Sequence, residues 1–388
     1  MDLDTCLREL ERQNGSDLHL KVGRPPLMRI MGDLLPTDAP PLTEAELRSM
    51  LYNIMGERLV RRFEDTCEAD FSYEIPGVAR FRVNVFMQRA HIGSVMRLIP
   101  FDVPTIEQLG LPEVLNKMAD AENGLVLVTG PTGSGKSTTL AAMLQHININ
   151  TPVHIITVED PIEFVYTDQS ATINQRELGI DTGALHNALR AVLRQDPDII
   201  LMGEMRDPET VKFGITAAET GHLVFATLHT NNATQTLDRI LDTMPHEARD
   251  MVRSQLCVIL GGIVCQRLCK RADGAGRIAA QEILVNTGNI SQLILEGKFK
   301  GIERAITEGS YYGMQTFNQA LYALQQKGLI TQEEAMSKSE TPEDLQLMFR
   351  GIQRGTSSGE AGNAPAGQPA KPGQPSQDKK KQDRGFDF

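Results

Sequence analysis

Residues 130–137 read Gly-Pro-Thr-Gly-Ser-Gly-Lys-Ser, and this run limits the possible folds more than any other segment of the chain. It follows an apolar, strand-like stretch at 125–129 and precedes a helical run that begins at Thr138. The pattern G-x-x-x-x-G-K-[ST] binds phosphate groups when it lies between a strand and a helix in this way. The sequence therefore predicts a nucleotide-phosphate site inside an α/β fold.

Each part of this loop has a physical role in phosphate binding. Glycines let backbone N–H groups converge on phosphate oxygens, and the following helix N-terminus adds partial positive charge. Lys136 is predicted to reach the β- and γ-phosphates, and the Ser137 hydroxyl to ligate Mg²⁺, so ATP and Mg²⁺ are the predicted cofactors. The predicted nucleotide-binding residues are Gly130, Pro131, Thr132, Gly133, Ser134, Gly135, Lys136, Ser137 and Thr138.

The pattern of apolar segments divides the chain into regions. Apolar strands at 125–129, 153–158, 199–202 and 223–228 alternate with helical stretches, which predicts a largely parallel, doubly wound α/β sheet. The first 100 residues mix short helices with strands, including the alternating stretch 80–86, and are predicted to be α+β. The predicted regions are an N-terminal domain at 1–100, a linker at 101–112, an ATPase core at 113–280, a helical part at 281–352 and a disordered tail at 353–388.

Composition excludes several classes of protein. Lys and Arg number 39 against 50 Asp and Glu, which gives a formal net charge of -11, and aromatic residues make up only 5%. This balance argues against a nucleic-acid partner, which would need a basic phosphate track and stacking platforms. No apolar run is long enough to span a membrane, and the first residues lack a signal-peptide pattern. With five scattered cysteines, the chain is predicted to be cytoplasmic.

Acidic residues follow two of the predicted strands. Glu204 ends the stretch Asp-Ile-Ile-Leu-Met-Gly-Glu, which resembles a Walker B strand with Gly203 in place of the usual Asp. Glu204 is predicted to polarise the attacking water, the alternative being a surface acid at a strand end. Glu159 and Glu163 follow another strand and are predicted to help hold Mg²⁺, with Glu163 also counted as catalytic.

Two histidines flank the predicted strand at 223–228. His222 precedes it and His229 follows it, and both are predicted to lie at the ligand-binding edge of the sheet and to sense the γ-phosphate. The alternative is that each is a hydrogen-bonded structural residue.

The four segments 130–137, 156–164, 199–207 and 220–233 resemble, in this order, the Walker A, Asp box, Walker B and His box of the secretion ATPases of type II secretion and type IV pili. The stretches 16–34 and 80–84 resemble the short N-terminal domain of the pilus retraction ATPases of the PilT and PilU type. Residues 289–296 read Asn-Ile-Ser-Gln-Leu-Ile-Leu-Glu and lack two arginines of the PilT motif, so the resemblance is greater to PilU.

This resemblance implies a fold and a function. The family has an N-terminal PAS-like α+β domain followed by a RecA-like P-loop ATPase domain with a helical C-terminal part, and it forms ring-shaped hexamers with active sites at the domain seam. Arg80, Arg82 and Arg97 are then candidate arginine fingers, the alternative being a solvated, charged sheet face. The implied function is ATP-driven pilus retraction and twitching motility, accessory to a PilT-type motor.

The implied partners are a homo-hexamer, a paralogous PilT-type ATPase and the inner-membrane pilus platform protein, at the inner face of the inner membrane and the cell pole. Two other functions remain open at this point. One is a pilus-assembly or type II secretion ATPase, against which the short N-terminal region and the missing zinc-binding cysteines argue. The other is a nucleotide-dependent scaffold for a partner motor.

Overall fold

The structure is a computed structural model that describes residues 2–30, 32–99 and 102–351. Two β-sheets organise the chain. The first is a six-stranded antiparallel sheet with strand order β3-β2-β1-β6-β5-β4. Its strands are β1 Asp17–Lys21, β2 Leu27–Ile30, β3 Asp33–Pro36, β4 Glu68–Ile75, β5 Ala79–Gln88 and β6 His91–Ile99. Three helices pack on it: α1 Leu3–Arg12, α2 Glu44–Ile54 and α3 Glu57–Thr66.

Local sequence signals explain this N-terminal α+β part. The predicted alternation in β5 is confirmed, because Phe81, Val83 and Val85 are fully buried against the helices while Arg82 is exposed. Helix α2 begins after Thr43, whose hydroxyl accepts from the backbone N–H of Glu46 in a reciprocal capping box. One face of this sheet is therefore core, and the opposite face carries its polar side chains.

The second sheet has seven strands in the order β13-β12-β7-β11-β10-β8-β9. They are β7 Gly124–Thr129, β8 His154–Glu159, β9 Thr172–Glu177, β10 Ile199–Glu204, β11 Leu223–Leu228, β12 Leu260–Lys270 and β13 Arg277–Val285. All neighbouring pairs are parallel except β12 and β13, so the predicted parallel sheet is confirmed with one reversed edge strand. Its helices are α4 Val114–Ala119, α5 Lys136–Asn150, α6 Leu185–Val192, α7 Pro208–Glu219, α8 Ala233–Thr243 and α9 Arg249–Ile259.

Both faces of this second sheet are buried, as a doubly wound fold requires. Helices α4 and α5 cover one face, and α6 to α9 cover the other. The segment predicted as a linker is packed where it is described, because Ile106 and Leu111 are buried in the core under α4 and α5. The chain therefore packs into the core of the second sheet before α4 begins.

The helical C-terminal part begins later than predicted. Strand β13 continues to Val285, so a boundary at 280 would cut through a strand. The helices that follow are α10 Gly288–Leu295, α11 Ile302–Glu308, α12 Phe317–Gln326, α13 Gln332–Lys338 and α14 Pro342–Phe349. The predicted tail at 353–388 lies outside the described residues. Within the described ranges, no helix has both the length and the apolar character needed to cross a bilayer.

Candidate active site

The glycine-rich loop joins β7 to α5 and has the shape its sequence predicts. Gly130, Gly133 and Gly135 have φ values of 143°, 78° and 88°, a region that residues with side chains rarely adopt. A Cβ atom at Gly130 would lie 2.6 Å from the Ser134 Oγ. The loop therefore needs glycine for both its conformation and its close packing, and its N–H groups precede the N-terminus of α5.

Lys136 folds back over this loop. Its Nζ donates to the carbonyl oxygens of Gly130 at 2.8 Å and Pro131 at 3.2 Å. Burial lowers the pKa of Lys136, and the nearby carboxylates of Glu204 and Glu163 act in the opposite direction. The ammonium group is thereby held at the loop, where a phosphate group would meet it.

Glu204 and His229 meet beside Lys136. The Nε2 of His229 lies 3.2 Å from an oxygen of Glu204, and its Nδ1 lies 3.4 Å from Lys136 Nζ. Arg206 Nε donates to the same Glu204 oxygen at 2.7 Å. Sheet topology explains the cluster, because β11 lies between β7 and β10 and all three end at one edge. Three predicted site residues are thus brought together.

His222 does not belong to this cluster, so its predicted position at the ligand-binding edge is wrong, and its γ-phosphate-sensing role stays a prediction. Its carbonyl accepts from the N–H of Gly124, which begins β7, whereas the phosphate loop follows the other end of β7. The two histidines are seven residue steps apart along β11, about 23 Å at roughly 3.3 Å per residue. His222 Nδ1 instead lies 2.9 Å from the carbonyl of Ala217 in α7, which is a structural contact.

Glu159 and Glu163 have different surroundings. The carboxylate of Glu159 accepts from Thr157 Oγ1 at 2.7 Å and from Gln175 Nε2 at 3.3 Å, so it faces β9 rather than the phosphate loop. Burial raises the pKa of Glu159 to about 7. The described hydrogen bonds of Glu159 do not include Ser137, and its part in holding Mg²⁺ stays a prediction. Glu163 is exposed in the following loop, and its charge acts on Lys136.

The donor groups near the loop fit a magnesium ion bound together with a nucleotide. In the described part of the chain, no three His, Cys, Asp or Glu side chains gather as a metal cage. Mg²⁺ takes most of its ligands from water and phosphate oxygens and needs only one or two from protein. The Ser137 hydroxyl lies at the start of α5, and the charge of Glu163 acts on the neighbouring Lys136. These two residues match that requirement.

Arg80 connects the two sheets. Its Nη2 donates to Glu177 at 2.7 Å, and Ser72 Oγ donates to the same carboxylate at 2.9 Å. Glu177 is only 3% exposed and ends β9, beside the end of β8. Arg80 is therefore half-buried and paired, so the alternative of a solvated arginine is wrong for this residue.

The other two candidate arginines lie on the same sheet face. Arg97 Nε donates to the buried Asp17 at 3.0 Å, and Arg82 lies directly opposite Arg97 in the register of β5 and β6. Arg82 is exposed. The described contacts place neither of them at the loop of the same chain, and their role as arginine fingers stays a prediction.

We expect Arg80→Ala to lower the free energy of unfolding by about 3 kcal/mol, because it leaves the buried Glu177 carboxylate without its ion-pair partner. Urea denaturation of both proteins measures this. Arg82→Ala is the matched control: it removes the same side chain from the same sheet face, and an exposed change costs less than about 0.5 kcal/mol. Equal effects of the two substitutions would contradict a stabilising link between the sheets.

Several residues at or near the site were not predicted from the sequence. Glu177 ends the polar strand Thr-Ile-Asn-Gln-Arg-Glu, which lacks an apolar alternation. Gln266 and Gln281 are buried amides on β12 and β13, and Gln266 contacts the phosphate loop. The sequence signal for both glutamines is a polar amide inside an otherwise apolar strand. Glu282 was also missed: it accepts from the N–H of Ala233, the first residue of α8.

The buried Glu282 carboxyl should make the free energy of unfolding depend on pH. Burial raises the pKa of Glu282 from its ordinary 4.5 to about 7, with the charge of Glu340 acting in the same direction and the Ala233 N–H opposing both. The folded chain then binds this proton more tightly than the unfolded chain, so stability falls as pH rises from about 4.5 to about 7. Glu282→Gln should gain about 3 kcal/mol over the parent across that range.

Thermal unfolding from pH 5 to pH 8 checks this expectation. The control is Glu11→Gln, an exposed glutamate on α1 in the N-terminal part, which should leave the pH profile unchanged. A Glu282→Gln profile parallel to that of the parent protein would show that this carboxyl does not titrate in the range.

Comparison with known proteins identifies a family and several relatives that the chain resembles. The family described as type II/IV secretion system protein matches residues 75–361. The chain is 49% identical to the type IV pilus retraction ATPase PilT of Pseudomonas aeruginosa over 89% of its length and all of that protein. It is 41% identical to the type IV pilus ATPase PilU of the same organism, over 90% of this chain and 92% of the relative.

A solved structure has the same fold. The crystal structure of the pilus retraction motor PilT with bound ADP superposes with a TM-score of 0.83 at 44% identity, and the match covers 89% of this chain and 99% of that one. The X-ray structure of the Legionella pneumophila ATPase DotB gives a TM-score of 0.72 at 27% identity, with 90% and 95% covered. The N-terminal α+β part and the P-loop part are both included in these matches.

Proposed function

The chain belongs to the type II/IV secretion system protein family and is an ATPase, and from this premise we propose that it powers or assists type IV pilus retraction and so supports twitching motility. The observation that carries the proposal is the cluster of Lys136, His229 and Glu204 at the phosphate loop, in a chain that spans the full length of a retraction ATPase. Lys136 binds the phosphates, and Glu204 orients the attacking water.

Magnesium completes the proposed site. Ser137 would hold the ion together with the nucleotide phosphates, and the ion would supply positive charge that stabilises the negative charge on the phosphate oxygens. Glu163 is the acid in the Asp box that we assign to this site, because it is exposed and its charge acts on Lys136. Glu159 supports the loop that carries Glu163, since its carboxylate accepts from the Glu163 backbone N–H.

The proposed assembly is a homo-hexameric ring. Arg82 is exposed and Arg97 is largely exposed, and both lie on the sheet face on which Arg80 contacts Glu177 of the ATPase core. Such arginines supply positive charge to a nucleotide bound by a neighbouring subunit when a ring closes. The proposed partners are the inner-membrane pilus platform protein and a PilT-type paralogue, at the inner face of the inner membrane and the cell pole.

We assign the chain an accessory role beside the PilT-type motor. Its support is the segment 289–296, which covers most of α10 and lacks the two arginines of the PilT motif. The higher identity to PilT than to PilU supports the other outcome, a motor that retracts pili by itself. An accessory motor and a motor that retracts pili by itself predict different phenotypes.

Measuring pilus retraction distinguishes these two roles when it is done in cells that lack this chain, the paralogue or both. An accessory motor leaves retraction weakened but present when it alone is deleted, and cannot restore it when the paralogue is missing. Complementation with the parent chain and with Glu204→Ala tests whether hydrolysis is required. Normal retraction in the double deletion would contradict a role in retraction altogether.

A further inference from the structure

Gln266 lies immediately behind the phosphate loop. It is on β12, the strand beside β7, and the register pairs the preceding Cys265 with Thr129, the last residue of β7. Its side chain is 2% exposed, and its Nε2 donates to the carbonyl oxygen of Ser134 at 2.7 Å. A carbonyl can only accept, so this contact fixes which side of the amide faces the loop.

The other side of the same amide is held as firmly. Its Oε1 accepts from Thr139 Oγ1 at 2.7 Å and from Gln281 Nε2 at 2.7 Å. Thr139 belongs to α5 and Gln281 to β13, and both are buried. The Gln266 amide is thus immobilised by the helix and the strand on either side of it, in a site without access to water.

The loop is packed directly against this residue. A Cβ atom at Gly135 would lie 2.7 Å from Gln266 Nε2, and one at Gly130 would lie 2.4 Å from the Gln266 carbonyl oxygen. Two of the loop glycines are therefore needed because Gln266 occupies the space that a side chain would take.

The contact with Ser134 has a consequence for the next N–H group. A trans peptide unit is planar, and its C=O and N–H point in opposite directions. Holding the Ser134 carbonyl against Gln266 turns the N–H of Gly135 to the other side, away from β12. We propose that Gln266 is a positioning residue that fixes the Ser134–Gly135 peptide so that the Gly135 N–H donates to a nucleotide phosphate.

The inference rests on nucleotide binding by residues 130–137 in the proposed function, and the parent chain tests that premise separately. The test compares Gln266→Met with Asn148→Leu in the full chain. Asn148 is a buried amide near the end of α5 that lies away from the loop, and its Nδ2 donates to the carbonyl oxygen of Thr167 at 2.9 Å. Both substitutions remove buried amide hydrogen bonds, but only Gln266 contacts the loop. Dissociation constants for ADP with Mg²⁺ and melting temperatures of the nucleotide-free proteins are measured for all three.

We expect Gln266→Met to weaken ADP binding about tenfold or more, the effect of losing a hydrogen bond that serves a charged group. Its KM for ATP rises by a larger factor than its kcat falls. Asn148→Leu lowers the melting temperature by a similar amount, and its ADP dissociation constant stays within about threefold of the parent value. Unchanged ADP binding by folded Gln266→Met, or equal weakening in both variants, overturns the proposal.

A second variant covers the case in which Gln266→Met fails to fold. Thr139→Val is nearly isosteric and removes one of the two donors that hold Gln266 Oε1, so it loosens the amide. We expect ADP binding to weaken a few-fold, and an unchanged dissociation constant overturns the proposal. A parent chain that does not bind ADP contradicts the proposed function itself and removes the premise of this inference.

Discussion

Replacing Lys136 with alanine is expected to lower the rate of ATP hydrolysis at least a hundredfold, about 3 kcal/mol in activation free energy. The ammonium group lies over the phosphate loop and is the loop's own cation. Fixed charge placed where negative charge develops usually contributes most to the rate enhancement in this chemistry, and its loss costs about a hundred- to a thousandfold. Steady-state phosphate release measures the rate.

Lys327→Ala provides the control for this substitution, because Lys327 is an exposed lysine at the end of α12, remote in sequence from the loop. It should hydrolyse ATP at the parent rate. Hydrolysis by Lys136→Ala at the parent rate would remove the loop from the mechanism, and normal twitching of cells carrying it would contradict the motor function.

Glu204→Ala is expected to bind ATP almost normally and to hydrolyse it about a hundred to ten thousand times more slowly. Loss of a general base costs this much, while the loop that binds the phosphates stays intact. Glu204 contacts His229 and Arg206 rather than the loop backbone. Single-turnover hydrolysis and ATP affinity, measured on the same preparation, separate the two effects.

Glu159→Gln is the matched comparison, because Glu159 ends the strand next to that of Glu204 but faces Thr157 and Gln175. It should slow hydrolysis far less than Glu204→Ala. If ATP affinity of Glu204→Ala falls as far as its rate, Glu204 binds the nucleotide or its metal instead. Equal hydrolysis by Glu204→Ala and the parent would leave only a nucleotide-dependent scaffold.

Features with a local signal were predictable from sequence. The phosphate loop and the alternation of β5 each depend on residues within a few positions of one another, and the structure confirms both. The meeting of His229 with Glu204 and Lys136 was predictable too, since strand ends of a parallel sheet share an edge.

Features that depend on pairing between distant segments were not predicted. Strands β12 and β13 form an antiparallel pair at the edge of a parallel sheet, and β9 is a polar strand recognised only by its pairing with β8. The misplacement of His222 has a different origin. Residues before and after one strand lie at opposite edges of the sheet, a distance that the length of the strand already implied.

The Glu177 carboxylate has one more consequence. Besides Arg80 and Ser72, it lies 3.4 Å from the backbone N–H of Ile162, in the loop that carries Glu163. Glu177 therefore contacts both the N-terminal sheet and this acidic loop. A rotation of that sheet must either break the ion pair between Arg80 and Glu177 or move the carboxylate that contacts the loop.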